Sequence, residues 1–150
     1  MSFVAIRAGL KSVLDGVAAV NPNPIIATVL NGEDFGDHLN ISAFPCAEIV
    51  RINDEPNYFT NREDMHVYVF AINVYFKMEL TNRAAVEKQA EAVVDSLLQT
   101  FTLAANVNLG GVADGRIMPV SAQSSATTWK GEMVRKEQII IRARKIMSMD

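Results

Sequence analysis

Apolar residues recur along this chain with two periods, and the places where one period gives way to the other mark out its elements. Phe3, Ile6, Leu10, Val13, Leu14 and Val17 return every three or four positions, with Arg7, Lys11 and Asp15 between them, which predicts an amphipathic helix over residues 3–18. Asn21-Pro22-Asn23-Pro24 ends it, because residues before proline avoid the helical region. Ile25–Leu30 reads as a short apolar strand, Asn31-Gly32 opens a turn-rich loop to about Phe44, and Cys46–Ile52 reads as a second strand. A polar link, NDEPNYFTNRED, then leads to a third and much longer strand, Met65–Met78.

That long strand is apolar on both faces. Tyr68, Phe70, Ile72, Val74, Phe76 and Met78 form one row, and Met65, Val67, Val69, Ala71 and Tyr75 the other, interrupted only by Asn73 and Lys77. Helical spacing resumes at Asn82–Phe101, where Val86, Ala90, Val93, Val94, Leu97, Leu98 and Phe101 make one stripe and Thr81 or Asn82 can cap the first turn. After the glycine turns Leu109-Gly110-Gly111-Val112 and Asp114-Gly115, a fourth strand is expected over Arg116–Ser121, near a sheet edge because of Pro119. Gln123–Gly131 reads as a small polar loop carrying Trp129, and Glu132–Met147 as a long closing strand.

Helix, three strands, helix, two strands is the order of an α+β layer: a mostly antiparallel four- to five-stranded sheet with two helices packed on one face, in a single domain spanning 1–150. Two helices about 10 Å wide cover about four strands spaced 4.8 Å apart on one side only. The second apolar face is then left for neighbouring copies or other partners, unless the loops 31–44 and 121–131 fold across it. Strands 3 and 5 exceed the usual length, so their ends are expected to project past the sheet.

Composition narrows the classes without naming one. A chain of 150 residues with 49% hydrophobic and 21% charged positions can bury a real core. A net charge of −3 argues against a dedicated nucleic-acid binder, and the single cysteine, Cys46, excludes an internal disulfide. The opening MSFVAIRAGLKSVL lacks the order of a signal peptide, and no apolar run approaches the roughly 20 residues of a membrane span. The expectation is a cytoplasmic chain with no membrane partner.

Motifs for chemistry are absent: no phosphate-binding glycine loop, nucleophile elbow, HExxH or paired-cysteine zinc spacing. His38 lies among Glu33, Asp34 and Asp37 in a loop better read as solvated than as a metal site. His66 reads as a cross-strand neighbour and Cys46 as core. No catalytic group, cofactor or metal is expected. Arg142 and Arg144 share one strand face, too few charges for a nucleic-acid footprint but suited to an intersubunit salt bridge or plain solvation. Trp129 is read either as an interface anchor or as a lid over its own core.

The segments AIRAGLKSVL, FPCAEIV, VYVFAINVYF, AEAVVDSLLQTF, NLGGVADGRIMPV and EQIIIRARKI, in this order with a loop tryptophan, resemble the tail terminator, or tail completion, proteins of long-tailed bacteriophages. The resemblance spans nearly the whole chain as a pattern of elements, with the loop 31–44 long for the family. It implies a non-enzymatic virion protein of the tail and neck, found in the host cytoplasm during assembly. Such proteins form a homohexameric ring that stops growth of the tail tube and joins it to the head–tail connector. DNA would pass through the lumen without specific binding, as suits a mildly acidic chain. The contact candidates are then Glu33, Asp34, Asp37 and His38 in the first loop, Asp54, Glu55 and Tyr58 in the link, and Trp129, with Arg142 and Arg144 between subunits. Two other readings stay open: another neck or tail component, such as a head-completion or tube protein, and a small cytoplasmic ligand-binding domain.

Overall fold

Three long strands form the spine of the protein: β2 (Cys46–Tyr58), β3 (Glu63–Lys77) and β5 (Glu132–Ser148). In the computed structural model they lie side by side with β3 in the middle, flanked by β1 (Thr28–Leu30) and β4 (Met118–Trp129) in the order β1-β2-β3-β5-β4. The described residues are 2–18, 28–30, 45–58, 63–77, 83–103, 108–111, 113, 117–129 and 132–148. For β1, 53–58, 63–65, 121–123, 127–129, 132 and 145–148 the backbone alone is described. All the pairings are antiparallel except β1 with β2, which is parallel. The fold is α+β, as the periodicity predicts.

Helices α1 (Ser2–Ala18) and α2 (Arg83–Thr102) bury their stripes in one shared core. Ile6, Leu10 and Leu14 of α1, Ala90, Leu97 and Phe101 of α2, Ala47 and Ile49 of β2, and Ile139 and Ile141 of β5 share this core, with α1 lying against β1 and β2 and α2 against β3, β4 and β5. The row Tyr68, Phe70, Ile72, Val74 and Phe76 runs beneath both helices, so the even positions of β3 are the floor of the core. Phe3 stands edge-on to Tyr68 and Phe70, with centroids at 4.6 and 5.8 Å. Arg51 lies over the Phe3 ring at 4.8 Å, and the Arg7 guanidinium, over Phe70, donates to the Ile49 carbonyl at 3.1 Å. These contacts fasten α1 to β2 and β3.

A single turn of 3-10 helix, Leu109–Gly111, leads from α2 toward β4. Leu109 adopts φ 54 and Gly111 φ 95, and the Asn108 carbonyl accepts from the amides of Gly111 and Ala113 at 3.1 and 3.0 Å. The strained Leu109 is held by burial, only 4% exposed, against α1 at Gly9. A Cβ at Gly9 would stand 3.0 Å from the Leu109 Cβ, so any larger residue there would crowd this close crossing.

Two sequence expectations are corrected here. The polar link is not a loop over most of its length: Asn53–Tyr58 continues β2 and pairs with Asp64–Val69 of β3 beyond a register shift between Arg51 and Asn53. The extra residue there is Ile52, which is 49% exposed. The Gln123–Gly131 segment likewise pairs with β5 as far as Trp129 opposite Glu132, so Trp129 ends a strand. In both places a strong partner strand imposes the extended form on residues of weak strand propensity. The ends of the long strands do not project past the sheet as expected: Asp64–Val67 pairs with β2 on one side and Glu63–Val67 with Arg144–Ser148 of β5 on the other, so the sheet itself extends with them. Ile25–Ala27, the caps Thr81 and Asn82, and Asp114–Arg116 lie outside the described residues.

Candidate interaction surface

The face of the sheet away from the helices divides into a closed centre and an open flank. In the centre, the odd positions of β3 are buried within the single chain: Val69 is 3%, Ala71 0%, Asn73 5% and Tyr75 7% exposed. The expectation of a wholly bare second face is therefore corrected. The central strand sits between β2 and β5, whose rows Cys46–Glu48–Val50 and Lys136–Gln138–Ile140–Arg142 run on either side. Asn73, which breaks the apolar row, accepts from Gln138 Nε2 at 3.1 Å and also bonds Tyr75, so this buried amide finds partners within the sheet.

Burial and the neighbouring Glu48 carboxylate push the Cys46 thiol up to about 12. Burial, followed by Glu48 and Cys46, likewise takes the Tyr75 phenol to about 12, against a small opposing hydrogen bond from Asn73. Both groups are neutral at any physiological pH. A thiol held protonated is a poor nucleophile and a poor metal ligand, so Cys46 serves as packing.

The flank toward β4 differs. Met118 and Val120, opposite Arg142 and Ile140, stand 51% and 52% exposed on the edge strand, and Ile140 is half-buried beside them. Arg142 and Arg144 pair in register with Val69 and Val67, which places both on this face. Arg142 is half-buried, Arg144 exposed, and neither has an ion-pair partner among the described residues. Exposed apolar side chains beside unpaired guanidinium groups form a surface suited to a protein partner bearing carboxylates.

On the helix face, a charge network that the sequence reading missed joins α2 to the sheet. Arg135 Nε donates to Glu137 Oε1 at 2.7 Å, its other nitrogens bond the Glu87 carboxylate, and the Ser124 hydroxyl donates to Glu137 at 2.9 Å. Glu137 is only 7% exposed. The signal lay in the alternation: positions 135 and 137 continue the inward row of Ile139, Ile141 and Ala143, so two charges there had to be a pair. Arg135 holds the Glu87 carboxyl below its usual range by hydrogen bonding first, while its own pKa is raised.

Asp54, Glu55 and Tyr58 lie along β2, opposite Tyr68, Val67 and Asp64, and Trp129 is at the far end of β4. Glu33, Asp34, Asp37 and His38 lie outside the described residues. His66 is half-buried and stacks on Tyr68 with centroids 6.0 Å apart. Among the described residues no three His, Cys, Asp or Glu side chains are grouped to hold a metal ion, and no helix is long and apolar enough to cross a membrane.

No protein-family model and no curated protein matches this chain. Among solved structures, one chain 19% identical to this one aligns over 95% of it and 96% of its own length, with a TM-score of 0.47.

Proposed function

We propose that this chain is a structural virion protein that assembles into a ring at the head-proximal end of a phage tail, where it ends tube polymerisation and joins the tail to the connector. The observation that carries the reading is the open flank of β4 and β5, where Met118 and Val120 face water beside Arg142 and Arg144, which have no ion-pair partner among the described residues. The resemblance in element order to tail terminator proteins supplies the particular assembly. With both helices on one side, the part of the other side that stays exposed, the β4 flank, is the natural contact surface. Partners in this reading are further copies of the chain, the tube protein and the connector. The protein works by shape and contact rather than by covalent chemistry.

The test is to purify the chain, image it by negative-stain electron microscopy, and add it to polymerising tail tubes. Closed rings of six, and tubes that stop growing when the protein is added, are expected. Tubes that lengthen unchanged, with the chain absent from their ends, would overturn the reading.

A further inference from the structure

We propose that the strip formed by Met118, Val120, Arg142 and Arg144 docks on the outward side of α2 of a second copy, with the two arginines meeting Glu91 and Asp95. The inference rests on the assembly reading above and names the two surfaces that meet.

Four observations select this partner surface. First, Arg142 is half-buried with no carboxylate in reach among the described residues, and a cation removed from water without a counter-ion is costly. Second, Glu91 and Asp95 are exposed on α2 and carry no ion pair among the described residues, whereas Glu87 is already occupied by Arg135. Third, the spacings agree. Residues two apart on a strand are separated by about 6.7 Å, and residues four apart on a helix by about 6 Å along its axis. Fork-like guanidinium groups at 142 and 144 can therefore each take one carboxylate. Fourth, Ala92 is exposed beside these acids, and its small side chain leaves room for Met118 and Val120 to approach the helix. Lys88, one turn earlier, is the single cation among the described side chains of α2, and the exposed surface around Glu91 and Asp95 stays net negative.

The geometry also excludes the contact within one copy. Helix α2 packs on the core face, while the strip lies on the opposite face of the same sheet. The surfaces can meet only between copies, and because they differ, the contact is head-to-tail. Such contacts close into rings when the rotation between copies permits. Edge-to-edge pairing through β4 is disfavoured, because Pro119 and a register shift between Ser121 and Ser124 interrupt that strand. A duplex is the poorer occupant: two cations next to exposed Met118 and Val120, on a chain of net charge −3, make a weak phosphate footprint.

Charge reversal tests this directly in the full chain, with sedimentation velocity as the readout and circular dichroism checking the fold. R142E/R144E and E91K/D95K should each raise the concentration needed for assembly by at least tenfold. An equimolar mixture of the two should assemble again, because an alternating arrangement pairs reversed with reversed and native with native. All four changes in one chain should also restore assembly. If the wild type assembles and both reversed variants do so equally well, this pairing is wrong while the assembly reading stands. If the wild type stays monomeric alone and on tube ends, the assembly reading itself fails. Should R142E/R144E keep its assembly but lose binding to a duplex DNA probe, the strip is a nucleic-acid surface and the proposal is overturned.

Discussion

Removing Arg135 should cost this protein more stability than its partly exposed position suggests. The Glu137 carboxylate is 7% exposed and takes its strongest donor, Arg135 Nε, at 2.7 Å. Arg135→Met keeps most of the side-chain volume but leaves that carboxylate with the Ser124 hydroxyl at 2.9 Å as its described partner. Breaking a buried pair by deleting one member typically costs 3–5 kcal/mol. Because the Arg135 side chain is 16% exposed, the low end, about 3 kcal/mol, applies. Glu137→Gln retains an acceptor for Arg135 and should cost only about 1 kcal/mol. The double change Arg135→Met/Glu137→Leu removes both charges and should return to within about 1 kcal/mol of wild type. Urea denaturation followed by far-ultraviolet circular dichroism on all four proteins closes the cycle. The reasoning is refuted if Arg135→Met is as stable as wild type, or if the double variant is no more stable than that single one.

Other consequences follow from the same geometry. Gly9→Ala should lower the melting temperature despite better helix propensity, since its Cβ would press on Leu109; Gly16→Ala, with nothing within 4 Å, should raise stability by up to about 1 kcal/mol. Phe70→Ala, at a fully buried position under Phe3 and Arg7, should cost about 3–5 kcal/mol in the same urea assay. Alkaline pH should destabilise the fold: Cys46 and Tyr75 are raised from 9.0 and 10.0 to about 12, so stability is whole below pH 9 and declines as pH rises toward 12. Cys46→Ala should remove the earlier part of that decline. At the acid end the depressed Glu87 contributes above its ordinary pKa of 4.5 and loses that contribution as pH falls further, an effect Glu87→Gln should abolish. Trp129→Ala should weaken ring formation or tail joining; normal behaviour in both assays would remove that residue from the contact surface.

Most of the architecture was legible because the helices and long strands announce themselves by period. The stripe Ile6–Leu10–Leu14 and the row Phe70–Ile72–Val74 are unambiguous, and each is fully buried where the pattern put it. Asn53–Tyr58 was not legible because Asn, Asp and Pro have little strand propensity, and the end of β4 because Gln123–Ser125 and Gly131 bracket its few strand-favouring residues; both are strands through pairing with β3 and β5. The fate of the second face was half legible. Alternation revealed that β3 is apolar on both sides, but it could not reveal that the middle of the second face is buried within the chain while Met118 and Val120 on the β4 flank stay open. The pairing of Arg142 and Arg144 on one face followed from their spacing. The partners of Arg135 and Glu137 did not, since Glu87 is 48 residues away in sequence.

The most direct single measurement is the mass of the wild-type chain by sedimentation velocity over a wide concentration range, alone and with tail tubes added. The account predicts a discrete assembly of six 16.5 kDa copies, free or seated on tube ends. A species of one copy at every concentration, with the tubes sedimenting as if nothing had been added, would contradict it.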